Sequence, residues 1–149
     1  MTDAKIKPPT VLVTDFMVTQ VFKVTPEMKL WEVAELMMRH SISGAPIVDN
    51  MDRLLSILGE GDTLRLSASH GVEATVASCL SQLPDIKNVV TLQKFDSFTD
   101  AYRIFLRHKY HRLPVVDGAG ALKGLVTRSN ILQMIVEAHH GKKIPKKTA

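Results

Sequence analysis

The sequence contains few cysteines, few aromatic residues and no long apolar run. Its single cysteine, Cys79, among 149 residues excludes an intrachain disulfide and a cysteine-based zinc site. Cys79 lies in an apolar-rich segment, which predicts a small buried side chain rather than a reactive thiol. No run of 18 apolar residues occurs, and the first nine residues lack the apolar core of a signal peptide. We therefore expect a cytoplasmic protein that makes no membrane contact.

Signatures of catalysis and of metal binding are missing as well. The sequence shows no Ser-His-Asp order, no Walker loop and no long glycine-rich fingerprint, so we expect no enzyme activity. His108 and His111 are three residues apart, and His139 and His140 are adjacent, but no acidic or cysteine ligand accompanies them. A histidine at the end of a helix is explained by the helix dipole, so we predict no metal site.

The net charge of +4 is concentrated at one end of the chain. Four lysines lie between Lys142 and Lys147, so residues 139–149 are predicted to be a flexible basic tail, and residues 1–9 a flexible leader. The remaining residues are close to neutral. Because the basic residues lack interleaved aromatics, the composition argues against a nucleic-acid partner.

The main feature of the sequence is an internal repeat with an offset of 68 residues. Residues 43–49, Ser-Gly-Ala-Pro-Ile-Val-Asp, align with residues 111–117, His-Arg-Leu-Pro-Val-Val-Asp. Two copies of one unit can each cover part of the other's apolar face, which neither could do alone. The apolar fraction of 45% is ordinary for a globular domain. We predict repeats over residues 10–70 and 71–138.

Periodicity and turn residues predict an α/β (α+β) protein of two βαββα-type repeats, with small mixed sheets covered by helices. A short helical turn is expected over residues 10–17, with Thr10 or Thr14 as its N-cap. The next helix is expected to start at Thr25-Pro26-Glu27 and to bury Met37 and Met38. The remaining predicted elements are strands at 21–24, 45–48, 54–58, 89–92, 113–116 and 122–126, and helices at 59–69, 97–108 and 129–138.

Two further segments follow the same repeat. Residues 124–130 read Gly-Leu-Val-Thr-Arg-Ser-Asn, and residues 56–62 read Ser-Ile-Leu-Gly-Glu-Gly-Asp. With the proline-containing segments, they make residues 10–138 resemble a tandem pair of CBS domains, also called a Bateman module. In that family each repeat carries Gly, two hydrophobic residues, Thr or Ser, any two residues, and Asp. Here the Thr is present only in the second copy and the Asp only in the first.

The resemblance implies two repeats related by approximate two-fold symmetry, with adenosine-containing ligands bound in the clefts between them. AMP, ADP, ATP and S-adenosylmethionine are the expected ligands, and no catalysis or cofactor is implied. It also implies a homodimer. Since the chain carries no recognisable effector domain, its signal would pass to an unidentified regulated protein or through the dimer. The halves would respond to a ligand by its different affinity for two conformations.

The resemblance implies that the first cleft lies between the helix start at residues 59–61 and the residues before the strand 113–116 of the second repeat. Asp62 would accept the ribose hydroxyls, and His111 and Arg112 would bind phosphate. Glu60 opposes this because its charge repels phosphate. The Pro-containing strands, with Ala45, Pro46, Ile47, Leu113 and Pro114, would flank the adenine.

The second cleft would join Thr127, Arg128 and Asn130 with Ser43 and Gly44. Asn130 is neutral and so a weaker acceptor than a carboxylate, which ranks the first cleft above the second.

Each of these residues also has a purely structural interpretation. Asp62 and Asn130 lie in first helical turns, and Thr127 can be an N-cap, with no ligand involved. Arg112 can pair with a surface acid. The incomplete motifs therefore leave open a structural or protein-interaction module that has lost its ligand.

Overall fold

The structure is a computed structural model that describes residues 11–141, and it confirms a mixed α/β fold. Helices and strands alternate in the order expected for two repeats. The helices are α1 (Leu30–His40), α2 (Glu60–His70), α3 (Val76–Cys79), α4 (Phe98–Arg107) and α5 (Arg128–His140), and the strands are β1 (Gly44–Val48), β2 (Leu54–Gly59), β3 (Leu92–Gln93), β4 (Arg112–Val116) and β5 (Leu122–Thr127). Short 3-10 turns occupy Val13–Asp15, Leu80–Gln82 and Ile86–Asn88.

The described residues form two compact units that exchange segments relative to the sequence repeats. Unit 1 contains residues 11–20, 91–117 and 123–141, and unit 2 contains residues 21–90 and 118–122. Residues 11–20, at the start of the first repeat, therefore pack with strands of the second repeat, and residues 71–90, at the start of the second repeat, pack with the first. The boundaries at residues 70 and 71 follow the sequence repeat and stay a prediction, since the compact units are a different division of the chain.

Unit 2 is built on the antiparallel pair of β1 and β2, in which Ala45 faces Leu58 and Ile47 faces Ser56. Every residue of β1 is buried, whereas β2 alternates, as expected for a strand covered on one face. The Ser56 hydroxyl donates to the Pro84 carbonyl at 2.7 Å, which fastens the first part of the second repeat to β2. The core of this unit comprises Val24, Leu30, Val33, Met37, Ala45, Ile47, Leu58, Leu66, Val76, Cys79 and Leu83. The predicted burial of Cys79 is confirmed.

In unit 1, β4 lies between β3 and β5, and β3 pairs with β4 in parallel through Leu92 and Val115. Phe98, at the start of α4, is fully buried and lies 5.9 Å from the ring of Phe16 in an edge-to-face arrangement. Residues 11–20, at the start of the first repeat, are thereby held in this unit by aromatic packing, a geometry that adds to the free energy of burial.

Helix α1 begins at Leu30, later than the predicted start at Thr25-Pro26-Glu27, so that prediction was wrong. The carbonyls of Pro26 and Met28 accept hydrogen bonds from Ala77 and Val76 at 2.8 Å each, so this stretch pairs with the start of α3 instead of entering the helix. Met37 is buried as predicted.

Further predictions at single residues were also wrong. Met38 is 83% exposed rather than in the core. Thr14 does not cap the first turn, which begins after Leu12, because the Asp15 carboxylate accepts from the Leu12 N–H instead. The predicted cap Thr10 lies outside the described residues.

Two predicted strands and one helix end also differ from the structure. The run at 21–24 forms a single bridge from Val24 to Ile47, and the run at 89–92 is shortened to β3 because a 3-10 turn precedes it. Helix α5 continues through His140 and ends at Gly141, whose φ of 66° suits glycine. The predicted tail therefore starts as helix, and its remainder, like the leader, lies outside the described residues.

Gly124 in β5 allows the backbone of residues 17 and 18 to approach closely. Val18 and Leu125 exchange two backbone hydrogen bonds of 2.8 and 2.9 Å. A Cβ at Gly124 would lie 2.7 Å from the Val18 carbonyl oxygen and 2.7 Å from the Met17 sulfur. The equivalent position of the first repeat, Ser56, carries a side chain. Glycine at 124 is therefore required by packing.

Gly124→Ala is expected to destabilise the protein by about 1–3 kcal/mol, because the added methyl group meets the backbone of residue 18. Urea unfolding measures this change. The matched control is Gly118→Ala, in a turn where an added Cβ meets nothing within 4 Å. Equal stabilities of the two variants would contradict the close approach.

Asp49 closes the turn between β1 and β2. Its carboxylate accepts from the N–H groups of Arg53 and Met51 at 2.9 Å each, and from Arg53 Nε at 2.8 Å. The hydrogen bond from the Arg53 backbone, aided by those of Met51 and the Arg53 side chain and opposed by partial burial, lowers the pKa of Asp49 below its usual value. The folded state therefore binds a proton at Asp49 less tightly than the unfolded chain does.

This lowered pKa predicts a pH-dependent contribution to stability. The contribution is complete at pH values above the ordinary carboxyl range and is lost as the pH falls toward the lower pKa of the folded state. In urea unfolding, wild type is expected to exceed Asp49→Asn in stability at about pH 7, with the difference shrinking below about pH 4. A difference that stays constant from neutral to acidic pH would contradict this account.

Candidate functional site

The junction between β5 and α5, in unit 1, carries three of the candidate residues. The Thr127 hydroxyl accepts from the Asn130 N–H at 3.1 Å, and Asn130 Oδ1 accepts from the Thr127 N–H at 2.8 Å. These reciprocal bonds form a capping box, which satisfies donors that every helix leaves unpaired at its start. Asn130 is only 2% exposed. The predicted capping role of Thr127 is confirmed.

The junction between β2 and α2, in unit 2, has half of this arrangement. Asp62 Oδ2 accepts from the Gly59 N–H at 2.9 Å, but Gly59 has no hydroxyl to return the bond. The other carboxylate oxygen, Oδ1, accepts from Arg65 Nη2 at 2.8 Å. Both oxygens of Asp62 are therefore engaged, although a carboxylate keeps lone pairs for further donors and this side chain is 31% exposed.

Each helix start also contacts the residue just before a strand of its own unit: α2 contacts the residue before β1, and α5 contacts the residue before β4. The Glu60 N–H donates to the Ser43 carbonyl at 2.9 Å, next to Gly44, which pairs with Gly59. In unit 1, the Arg128 N–H donates to the His111 carbonyl at 3.3 Å. The backbone thus joins helix start and pre-strand segment in both repeats.

These contacts show which candidate residues the structure brings together. His111 lies beside Arg128 within unit 1, and Ser43 lies beside Glu60 within unit 2. The pairings expected from the resemblance, Asp62 with His111 and Arg112, and Asn130 with Ser43, join residues of different units. They stay predictions.

The candidate side chains differ in accessibility. His111 and Arg128 are exposed and Arg112 is half-buried, so these basic groups lie at the surface of unit 1. The strand residues predicted to flank adenine are all buried: Ala45, Pro46, Ile47, Leu113 and Pro114. In unit 2 the side chains of Ala45 and Ile47 belong to the core, which leaves the strand backbone as the part able to meet a ligand.

The two helix starts also differ in charge. Helix α5 begins with the cation Arg128, whereas α2 begins with the exposed anion Glu60. A helix start attracts anions through its unpaired N–H groups, and a cation there strengthens this attraction while an anion weakens it. Capped helix starts with acceptors at the third helical position, near basic side chains, suit recognition of a sugar hydroxyl and a phosphate.

Sequence reasoning missed two partners. Arg65, on the next turn of α2 from Asp62, could have been found from its spacing of three residues. The carbonyl of Tyr110, which accepts from Arg128 Nε at 2.8 Å, could not, because a backbone acceptor leaves no mark on residue identity.

Within residues 11–141, no three His, Cys, Asp or Glu side chains gather as a metal site would require. None of the helices in the same range has the length and apolar character needed to span a bilayer.

Solved structures support the fold. The CBS-pair protein CBSX2 from Arabidopsis thaliana superimposes with a TM-score of 0.73 at 22% identity, covering 89% of this chain and 99% of that one. CBSX2 in complex with AMP gives a TM-score of 0.74 at 24% identity, over 87% and 98% of the two chains. The CBS domain pair of MJ0100, in complex with 5'-methylthioadenosine and S-adenosyl-L-methionine, gives 0.71 at 22% identity, over 87% and 99%.

Sequence comparison finds longer relatives and the family. Inosine-5'-monophosphate dehydrogenase of Halalkalibacterium halodurans is 32% identical over 118 residues, which is 79% of this chain but 23% of that enzyme. The uncharacterized protein MJ1232 of Methanocaldococcus jannaschii is 28% identical over 85% of this chain and 40% of its own length. The chain thus spans less than half of these relatives.

The CBS domain model matches twice, at residues 13–69 and 81–137. The chain therefore belongs to the CBS domain family, as a tandem pair of CBS domains.

Proposed function

We propose that this protein is a regulatory CBS pair that binds an adenosine-containing ligand, with AMP, ADP, ATP and S-adenosylmethionine as the candidates. The observation that carries the proposal is the acceptor at the third position of α2, Asp62, which is both held by the Gly59 N–H and partly exposed. Support also comes from structural neighbours that hold AMP, or S-adenosyl-L-methionine with 5'-methylthioadenosine.

In the first proposed site, each residue has one task. Asp62 accepts hydrogen bonds from the ribose hydroxyls through its remaining lone pairs. Arg112 binds phosphate with its planar pair of donors, and His111 adds a second donor. The backbone of the strands at Ala45–Ile47 and Leu113–Pro114 flanks the base.

A second, weaker site uses Thr127, Arg128 and Asn130 with Ser43 and Gly44. Asn130 Oδ1 is already occupied by the capping bond, and an amide is a weaker acceptor than a carboxylate. We therefore rank the Asp62 site first.

The proposed output is regulatory rather than catalytic. Ligand binding shifts the chain between two conformations by its differential affinity, and an unidentified regulated protein or a second copy of the chain detects the change. We place this protein in the cytoplasm, without a nucleic-acid or membrane partner. The dehydrogenase relatives match only over the CBS part, so their reaction is not transferred to this chain.

The alternative is a structural or protein-interaction module without a ligand. It is favoured by the engagement of both Asp62 oxygens, which accept from the Gly59 N–H and from Arg65 without any nucleotide, and by the missing hydroxyl at Gly59. Such a module would form stable assemblies that are insensitive to nucleotides.

Thermal unfolding with millimolar AMP distinguishes the two functions. A ligand at 100 times its dissociation constant adds about 2.7 kcal/mol, which raises the midpoint of a chain of this length by about 5–10 °C. Arg112→Ala is expected to abolish most of this shift. The charge-matched control is Arg39→Ala, which removes an exposed surface pair with Glu35. It is expected to keep the full shift.

Asp62 is tested with two variants because it also caps α2. Asp62→Asn retains an oxygen for the Gly59 N–H, as Asn130 does at Thr127, so the unliganded midpoint should stay near wild type while the AMP shift falls. Asp62→Ala is expected to lose both the shift and about 1 kcal/mol of stability. No midpoint shift of wild type with any adenosine ligand would contradict the proposal and favour the structural module.

A further inference from the structure

The loop from α4 to β4 is fastened to the start of α5 by one arginine. Arg128 Nε donates to the Tyr110 carbonyl at 2.8 Å, and the Arg128 N–H donates to the His111 carbonyl at 3.3 Å. The two acceptors are consecutive residues, and they directly precede Arg112. Side chain and backbone of one residue therefore hold the chain where it enters β4.

We infer that Arg128 is a positioning residue: it orders the backbone of residues 110–111 and so presents His111 and Arg112 to the phosphate of the ligand. This inference rests on the proposed function. It adds an indirect role in the first site to the direct ligand contact proposed for Arg128 in the second site. A charged donor to a carbonyl forms a stronger hydrogen bond than a neutral one, which suits an anchoring role.

The first repeat provides an internal comparison. Glu60 occupies the position equivalent to Arg128, and its N–H donates to the Ser43 carbonyl in the same way. A carboxylate, however, cannot donate a hydrogen bond to a second carbonyl. The added side-chain bond is therefore a property of the second repeat, which is also the repeat that carries the basic pair His111 and Arg112.

The loop from α4 to β4 is exposed to solvent. Lys109, Tyr110 and His111 are all exposed, and the ring of Tyr110 contacts that of His108 at a centroid distance of 5.2 Å. Exposed segments with few buried apolar contacts open at low free energy. Without the Arg128 bond, a ligand would have to order the loop as it binds, which weakens its affinity.

The test compares Arg128→Ala, Arg128→Lys and the control Arg39→Ala. Amide hydrogen exchange of residues 109–112, measured by NMR without ligand, is expected to rise several-fold in Arg128→Ala and to stay at wild-type rates in Arg39→Ala. Calorimetric titration is expected to show AMP binding weakened by roughly tenfold in Arg128→Ala, with adenosine binding unchanged. Adenosine lacks the phosphate and so does not depend on His111 and Arg112.

Arg128→Lys separates positioning from charge. Lysine keeps the positive charge but lacks the planar fork with Nε, so it is expected to restore AMP binding only in part. Full restoration by lysine, equal losses for AMP and adenosine, or unchanged loop exchange in Arg128→Ala would each overturn the inference. If wild type binds neither ligand, the proposed function fails, and loop exchange alone decides whether Arg128 orders the loop.

Discussion

Side-chain capping at the starts of α2 and α5 is the constraint on which the rest of the structure depends. A side-chain oxygen three residues into each helix accepts from the N–H of the residue before the helix: Asp62 from Gly59, and Asn130 from Thr127. The same two helix starts bond to the segment before β1 or β4. One short stretch therefore ends a strand, begins a helix and fixes the entry of another strand. Residues in that stretch stabilise the fold even before any ligand is considered.

The exchange of segments between the repeats has a similar consequence for stability. Val18, in the first repeat, pairs with Leu125 of β5, and the carbonyl of Pro84, in the second repeat, accepts from Ser56 of β2. The strands of each repeat are therefore bonded to a segment of the other repeat. Neither repeat, cut at its sequence boundary, contains all the residues of a compact unit. This dependence gives a physical reason for the tandem arrangement. Because each compact unit contains residues of both repeats, a ligand that stabilises one unit stabilises residues of both repeats.

The sequence predicted the repeat, the order of most helices and strands, and the capping residues Asp62, Thr127 and Asn130, because these depend on local periodicity and on residue type. It failed where distant backbone decides the structure: α1 starts late because Pro26 bonds to Ala77, 51 residues further along the chain. The same limit applies to the site. Asp62, Thr127 and Asn130 could be identified from their motif, whereas the Tyr110 carbonyl could not. The difference between the two copies of the motif, Gly59 against Thr127, was visible in the sequence. In the structure it appears as one capping bond at Gly59 and two reciprocal bonds at Thr127.

The proposed function requires that helix starts which stabilise the fold also bind an adenosine ligand. NMR titration of the isotopically labelled protein with AMP tests it most directly, because amide shifts report the position of binding without a change in sequence. We expect saturable shifts concentrated at Gly59, Asp62, His111 and Arg112, with adenosine perturbing Asp62 but not Arg112. An absence of shifts at millimolar AMP, or shifts confined to residues remote from both helix starts, would contradict it.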